Sequence, residues 1–466
     1  MKKKLSIVPF IVLIGIGILS LIYSGVPSLN NESYWETYGS QLSIGDTAWM
    51  LTAAALVFIM TPGLAFFYGG MVNSKNVIST MLQSFISMAV VSVLWIVVGF
   101  SLAFGESLNG LIGNPGTFFM FKGVMDGAPW VNAATIPLLL FALYQLKFAI
   151  ITPALITGAF AERIRFTSYV LFICLFVIFI YTPLAHWTWH PDGIFAQMGV
   201  LDFAGGTVVH MSAGWAALAS AIYLRKRSKA EHNPANIPLV MLGTGLLWFG
   251  WFGFNAGSAL GANQLSAVAA MTTTAASAAA ALAWMFFDAV KGKKPNAMGM
   301  CIGAVVGLVA ITPAAGFVTI SHSIVIGIVA SLVSSVLVDY RTSRTQLDDT
   351  LDVFPCHGVG GMVGMILTGV FATNAVNAGI PEGDNGLFFG ETKLFLSHMI
   401  ALVASSVFAF GGSMILLWLT NLISPLRVEE IEEKVGLDNS QHGEGYLSWV
   451  GSTSVTGTVE GHSVKI

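Results

Sequence analysis

The stretch that decides the fold is residues 202–214, DFAGGTVVHMSAG. It opens a segment otherwise apolar enough for lipid, yet it carries Asp202 and, eight residues on, His210. An ionisable group in a bilayer interior costs about 3 kcal/mol, so such groups tend to face a bundle interior and mark an ion or proton path. The small residues around this pair, Gly205, Gly206, Gly214, Ala216 and Ala217, let helix backbones approach closely where packing drives association. A second stretch, DVFPCHGVGG at 352–361, repeats the pattern: Asp352 precedes His357, among Gly358, Gly360 and Gly361, with Gly364 just beyond.

Working outward, the whole chain reads as a membrane protein. Of 466 residues, 55% are hydrophobic and 10% charged, and the mean hydropathy is +0.76. A bilayer core about 30 Å thick needs roughly 20 apolar residues per helix. Eleven such transmembrane helices are expected, at 46–68, 77–104, 134–158, 167–187, 204–224, 236–258, 264–290, 297–316, 318–338, 357–375 and 393–421. Lys and Arg should gather on the cytoplasmic side of alternate loops. They fall after odd-numbered spans, as Lys75, Arg163 and Arg165, RKRSK at 225–229, KGKK at 291–294, Arg341 and Arg344, and Arg427. The other loops carry little beyond Lys122 and Lys393. That pattern predicts an outside N-terminus for the mature bundle and a cytoplasmic C-terminus.

The first residues, MKKKLSIVPFIVLIGIGILSLIYS, pair a basic start with an apolar run. Residues 1–30 are therefore expected to be a signal peptide or signal anchor. Residues 42–424 form the transmembrane domain, and 425–466 a polar cytoplasmic tail ending in a Gly-, Ser- and Thr-rich stretch. Cys174, Cys301 and Cys356 fall in separate spans without metal-ligand spacing and are expected to be small buried hydrophobes. No metal or other cofactor is called for. The net charge of -3, with the basic residues explained by topology, gives no reason to expect nucleic acid.

Spans 1–5 and 6–10 are two groups of five. Because five is odd, the second group enters the membrane from the opposite side, as inverted repeats do, and such repeats place a substrate path at their interface. His210 and His357 then hold equivalent places, and a neutral imidazole pair offers both a donor and an acceptor to a small passing molecule. Asp202 can cap its helix through the amides of Gly205 or Gly206, or draw a cation to the outer mouth. Trp251, Phe254 and Ser258 recur at helical spacing, as do Tyr144, Gln145 and Phe148, while Trp189 ends span 4 in AHWTWH. Aromatic faces like these serve as core or lipid contacts, or bind a bare cation at roughly 0.5–2 kcal/mol per ring.

With those residues in place, the chain resembles the ammonium transporter (Amt/Mep/Rh) family, in its prokaryotic Amt branch. GDTAWML at 45–51, PGLAFFYGG at 62–70, FAIITPALITGAFAERIRF at 148–166, PLAHWTWHPDG at 183–193, DFAGGTVVHMSAG, WFGFNAGSAL at 251–260, DVFPCHGVGG and GLDNSQHGEGY at 436–446 all resemble it in order. The resemblance implies an ammonium channel or transporter. Trp189, Ser258 and Phe148 match the family's recruitment site, and Phe148 and Phe254 its stacked pore gate. His210 and His357 match its twin pore histidines, Asp202 a structural and electrostatic aspartate, and Gln145 and Tyr181 polar residues near the vestibule. It also implies a homotrimer in the inner membrane, surrounded by lipid, and a tail able to receive a PII-type regulatory protein. The alternative is an ammonium sensor with little flux. Lys147, about 100° around the helix from Phe148, is expected to face outward or toward a neighbouring subunit.

Overall fold

The computed structural model describes residues 8–23, 27–228 and 233–446. Among them, ten helices are long and apolar enough to cross a membrane. They are α1 (Ile44–Met71), α2 (Val77–Phe104), α3 (Leu138–Phe160), α4 (Phe166–Gln197), α5 (Gly206–Leu224), α6 (Ile237–Ala259), α7 (Gln264–Val290), and, past the short α8, α9 (Ile320–Arg344), α10 (Phe354–Phe371) and α11 (Lys393–Ile423). The eighth expected span, 297–316, is helical only over α8, Ala297–Ile311. Pro313 and the turns around it end that helix early, because proline has no amide to continue the ladder. Span 3 begins at Leu138 rather than 134, since Pro137 sits at its N-cap. Span 10 begins at Phe354 rather than 357 and ends at Phe371 rather than 375.

Glycines set the helix crossings. A methyl group added to Gly63 on α1 would lie 2.9 Å from Leu246 Cβ on α6, and one on Gly253 would lie 2.6 Å from the Ala53 carbonyl oxygen. The same closeness joins α5 to α10: a Cβ on Gly214 would collide with the backbone of Gly358, and one on Gly361 would lie 3.1 Å from Met211 Cγ. The first helices of the two groups of five thus pack together, and so do the fifth. That is the pairing an internal two-fold relation requires.

The helix Val8–Ile22 buries none of its residues within the chain. Its preceding lysines, Lys229 and the Gly- and Ser-rich end of the tail lie outside the described residues. The described part of the tail is latched to the bundle. Arg165 N–H donates to the Leu426 carbonyl at 2.7 Å and Val428 N–H to the Arg163 carbonyl at 3.0 Å. Asp438 accepts from the amides of Ile78 (3.1 Å) and Ser79 (2.8 Å), capping α2.

Beneath the tail lies a buried ion network. Arg227 grips Asp348 through Nε and Nη2, both at 2.9 Å, and reaches Glu162 at 2.7 Å. Arg163 lies 3.6 Å from Asp348 and donates to Thr350 at 2.7 Å. Burial opposes the charge on Asp348, but the two guanidiniums outweigh it and hold the carboxyl down at about 2. Asp349, fully buried and beside Asp352, is pushed up to about 6 by burial and by that neighbouring charge.

Candidate functional site

At the bundle end opposite the tail, a cavity of about 230 Å³ opens between α3, α4, the segment 200–203 that leads into α5, and the end of α6. Of the residues singled out from sequence, Tyr144, Gln145, Phe148, Trp189, Asp202 and Ser258 line it, joined by Trp130, Asn132, Thr188 and His190. Its lower wall is aromatic. Phe148 meets the Trp189 ring edge-on at 5.7 Å between centroids and packs on Phe254 at 4.3 Å, tilted by 35°. Both phenylalanines are buried, at 1% and 0% exposure, so they close the cavity from below.

Hydrogen bonds fix what the polar groups can offer. The Ser258 hydroxyl donates to the Phe254 carbonyl at 2.8 Å, which leaves the oxygen's lone pairs free to accept. Tyr144 Oη stands 3.2 Å from it and within 2.8 Å of the Gly253 carbonyl, tying α3 to α6. Trp189 Nε1–H donates to the Asp202 carbonyl at 3.0 Å. An aromatic wall with acceptor oxygens, and no Lys or Arg among the described residues that line it, suits a small bare cation.

The Asp202 carboxylate is committed to its own helix. Oδ1 accepts from Gly205 N–H (2.8 Å) and Gly206 N–H (2.6 Å), Oδ2 from Thr207 N–H (2.8 Å) and the Thr207 hydroxyl (2.5 Å). It caps α5 through both glycines at once, and Gly205 takes φ +115, which only glycine adopts without strain. The equivalent cap in the other half is Asp349, not Asp352. Asp349 Oδ2 accepts from Phe354 N–H at 2.7 Å at the start of α10, whereas Asp352 is drawn off to Arg341 at 2.6 Å. The sequence held the signal: Asp349 precedes His357 by the same eight residues that separate Asp202 from His210.

Below the phenylalanine pair, His210 and His357 come together. Their Nδ1 atoms are 3.4 Å apart, so one donates and the other accepts, and the rings lie within 25° of parallel. Trp251 stacks on His210 at 5.4 Å and 17°, and its own Nε1–H donates to Thr312 at 3.0 Å. His210 Nε2 is buried and has no hydrogen-bond partner among the described residues. Beside it runs a constriction of about 10 Å³, lined by Met60, Leu64, Leu155, Leu247 and Val305 along with the two histidines. That is room for one water-sized molecule and nothing larger.

Two residues fall elsewhere. Tyr181, expected near the vestibule, is not among the residues lining the cavity: it sits two helical turns before Trp189, fully buried against Trp95 at 6.4 Å. Lys147 points away from the cavity, with Nζ 4.6 Å over the Phe58 ring of α1, which is 40% exposed. Sequence reasoning missed Thr188 and His190 as cavity residues. The signal was in AHWTWH itself, whose polar members flank Trp189.

The sequence model of the Ammonium Transporter Family matches residues 48–446. The chain is 46% identical over 407 residues to the ammonium transporter of Aquifex aeolicus, covering 87% of this chain and 94% of that one. Among solved structures it is similar to Candida albicans Mep2, with a TM-score of 0.80 and 35% identity over 85% of this chain and 88% of that one. It is also similar to a protein described as a sensor Amt protein, with a TM-score of 0.77 and 30% identity over 85% and 98% of the two chains. The aromatic cavity, the histidine pair beneath it and a family match across most of the chain converge: this protein belongs to the Ammonium Transporter Family.

Proposed function

We propose that the chain transports ammonium by recruiting the cation at Trp189, Phe148 and Ser258, stripping its proton near the Phe148 and Phe254 gate either to vestibule water or to the His210 and His357 pair, and passing neutral ammonia along the pore that pair lines. The observation that carries this reading is the order of environments along one path: cation-binding rings and acceptor oxygens, then two closed rings, then an apolar constriction with one histidine pair. Ammonium and potassium carry the same charge at similar size, so attraction to the rings cannot separate them. A proton can. Potassium has none to lose, and moving it unhydrated through the constriction carries the full penalty of burying a charge. Ammonia crosses as a neutral molecule whose hydrogen bonds the imidazoles supply. Asp202 acts here as a brace for α5 and as a source of negative potential at the mouth.

In this reading the chain crosses the inner membrane eleven times, with α8 and its following turns as the eighth crossing, the vestibule outside and the tail in the cytoplasm. Residues 1–30 target or anchor it, 42–424 form the conducting unit, and three copies assemble, each with its own pore. The tail from 425 is placed to receive a PII-type regulator. Methylammonium uptake into proteoliposomes, with membrane current recorded, tests the transport reading: uptake above empty vesicles is expected. Likeness to a sensor Amt protein favours a second reading, in which the chain binds ammonium and signals. Measurable binding without uptake or current would establish that reading and sink the first.

A further inference from the structure

His190 has no part in the recruitment site just proposed, yet its ring forms part of the vestibule wall beside Trp189. Nδ1 accepts from the Asp192 amide at 3.1 Å, so the proton of the neutral ring sits on Nε2. Among the described residues, Nε2 has no hydrogen-bond partner. One face stacks on His186 at 4.3 Å and 20°, and Trp130 meets it at 5.4 Å and 64°.

The two stacked histidines are not equivalent. His186 is fully buried, and its Nδ1 lies 2.9 Å from the Ala103 carbonyl, to which it must donate because a carbonyl only accepts. Its Nε2 lies 2.8 Å from the Ser107 hydroxyl, so both ring nitrogens of His186 are engaged. Of the pair, His190 alone meets the vestibule. Protonation of His190 exchanges one partner for another, because the Asp192 carboxylate is 3.8 Å from Nδ1 and 69% exposed. The other carboxylate on the cavity, Asp202, has both oxygens taken by the Gly205, Gly206 and Thr207 amides. The hairpin Ser107–Leu108 and Ile112–Gly113, the segment 128–133 and the helix Ile194–Gln197 bring no charged residue toward the ring.

We propose that His190 is a proton-responsive determinant of ammonium capture: protonated, it sets a positive charge on the vestibule wall and weakens recruitment at Trp189, Phe148 and Ser258. The proposal rests on the ammonium-transport reading. Neutral, His190 leaves that site undisturbed. Two cations sharing a cavity of about 230 Å³ repel each other enough to weaken capture severalfold, even with solvent partly screening them. An acidified exterior would then throttle uptake at the capture step, without any movement of the gate.

The test is methylammonium uptake into proteoliposomes with equal pH inside and out, compared at about pH 5 and about pH 7.5, either side of the ordinary histidine range. An alkylammonium stays protonated at both values, so the substrate itself does not change. For the unaltered protein, the apparent KM should be about three- to tenfold higher at the acid value with Vmax nearly constant. His190→Asn and His190→Gln should each show the same KM at both values, equal to the unaltered protein's at the higher pH. His190→Arg should show the raised KM at both. Two neutral variants guard against a folding defect in one, which thermal unfolding reads separately. A KM that still rises in the neutral variants, or a flat KM in the unaltered protein, overturns the proposal. Absence of uptake by the unaltered protein at either pH would instead overturn the transport reading.

Discussion

Asp202→Asn distinguishes a carboxylate that braces a helix from one that touches the passing cation. In the native site four donors converge on two oxygens: Gly205 and Gly206 amides on Oδ1, the Thr207 amide and hydroxyl on Oδ2. Asparagine keeps one oxygen and so two of the four bonds. Its amide nitrogen then faces the Thr207 N–H, donor against donor, at a residue only 6% exposed. The Thr207 hydroxyl can rotate and accept, but the backbone amide cannot. One orphaned buried donor costs about 1–3 kcal/mol, and the surviving bonds lose the strength that the negative charge gave them, for a sum of about 3 kcal/mol. If that loss falls on the first turn of α5, amide exchange there should accelerate by about a hundredfold, since every 1.4 kcal/mol is roughly a factor of ten. Hydrogen–deuterium exchange across residues 203–211, followed by mass spectrometry, measures it. Methylammonium uptake should fall in parallel, because the loosened turn carries Trp189's acceptor at one end and His210 at the other. Lost uptake with unchanged exchange over that peptide would refute the brace and make Asp202 a direct ligand of the cation.

Gly214→Ala should force α5 and α10 apart, because the new methyl meets the Gly358 backbone; about 1–3 kcal/mol of stability should go, and conduction with it as the 3.4 Å histidine contact opens, read by thermal unfolding and uptake. Lys147→Met should leave uptake unchanged and reduce stability by less than about 1 kcal/mol, the value of a half-exposed cation–ring contact; a large gain in uptake would mean that the lysine repels ammonium. Asp348→Asn strands Arg227 and Arg163 in a buried site and should cost about 3–5 kcal/mol in detergent unfolding. Asp348 also sets an acid limb. Held at about 2 in the fold against an ordinary value near 4, it contributes stability that is complete above about pH 4 and lost as pH falls toward 2, and the variant should lack that limb. Asp349, at about 6, has the opposite sign: its burial favours the protonated form, so stability declines as pH rises from about 4 to 6, a decline that Asp349→Asn should remove.

Much of the architecture was legible because lipid leaves the sequence few options. Apolar length marks the ten helices long enough to cross a membrane, the eighth expected span holding only the short α8, and the glycines around His210 and His357 marked those two as inner, which their burial at 1% and 3% bears out. What could not be read was depth. Tyr181 and Trp189 share a helix and an aromatic character, and only the tertiary packing puts one against Trp95 and the other on the vestibule. The eighth span's early end was legible but outweighed by hydropathy: 297–316 reads as one apolar run, yet Pro313 stands two residues past the last helical residue, Ile311.

Pairing Asp352 with Asp202 takes the carboxylate nearer to His357, whereas the matching interval of eight residues singles out Asp349. Both histidines sit in π-helical turns, Gly206–Met211 and Phe354–Val359, where the usual advance of about 100° per residue does not hold. Another such turn, Phe252–Ala256, carries Phe254, the ring packed on Phe148. Each turn holds an extra residue and shifts the phase of everything after it, so a side chain's facing cannot be counted from the helix start. The interval from capping carboxylate to imidazole survives this distortion only if both halves contain it. Asp202 to His210 and Asp349 to His357 are the same eight residues, each interval ending inside a π turn. A π turn in one half alone would rotate its imidazole off the axis, and the two Nδ1 atoms could not meet at 3.4 Å. The paired turns are therefore part of what brings the histidines face to face, and removing one by deleting a residue between cap and histidine should part them while leaving the second helix intact.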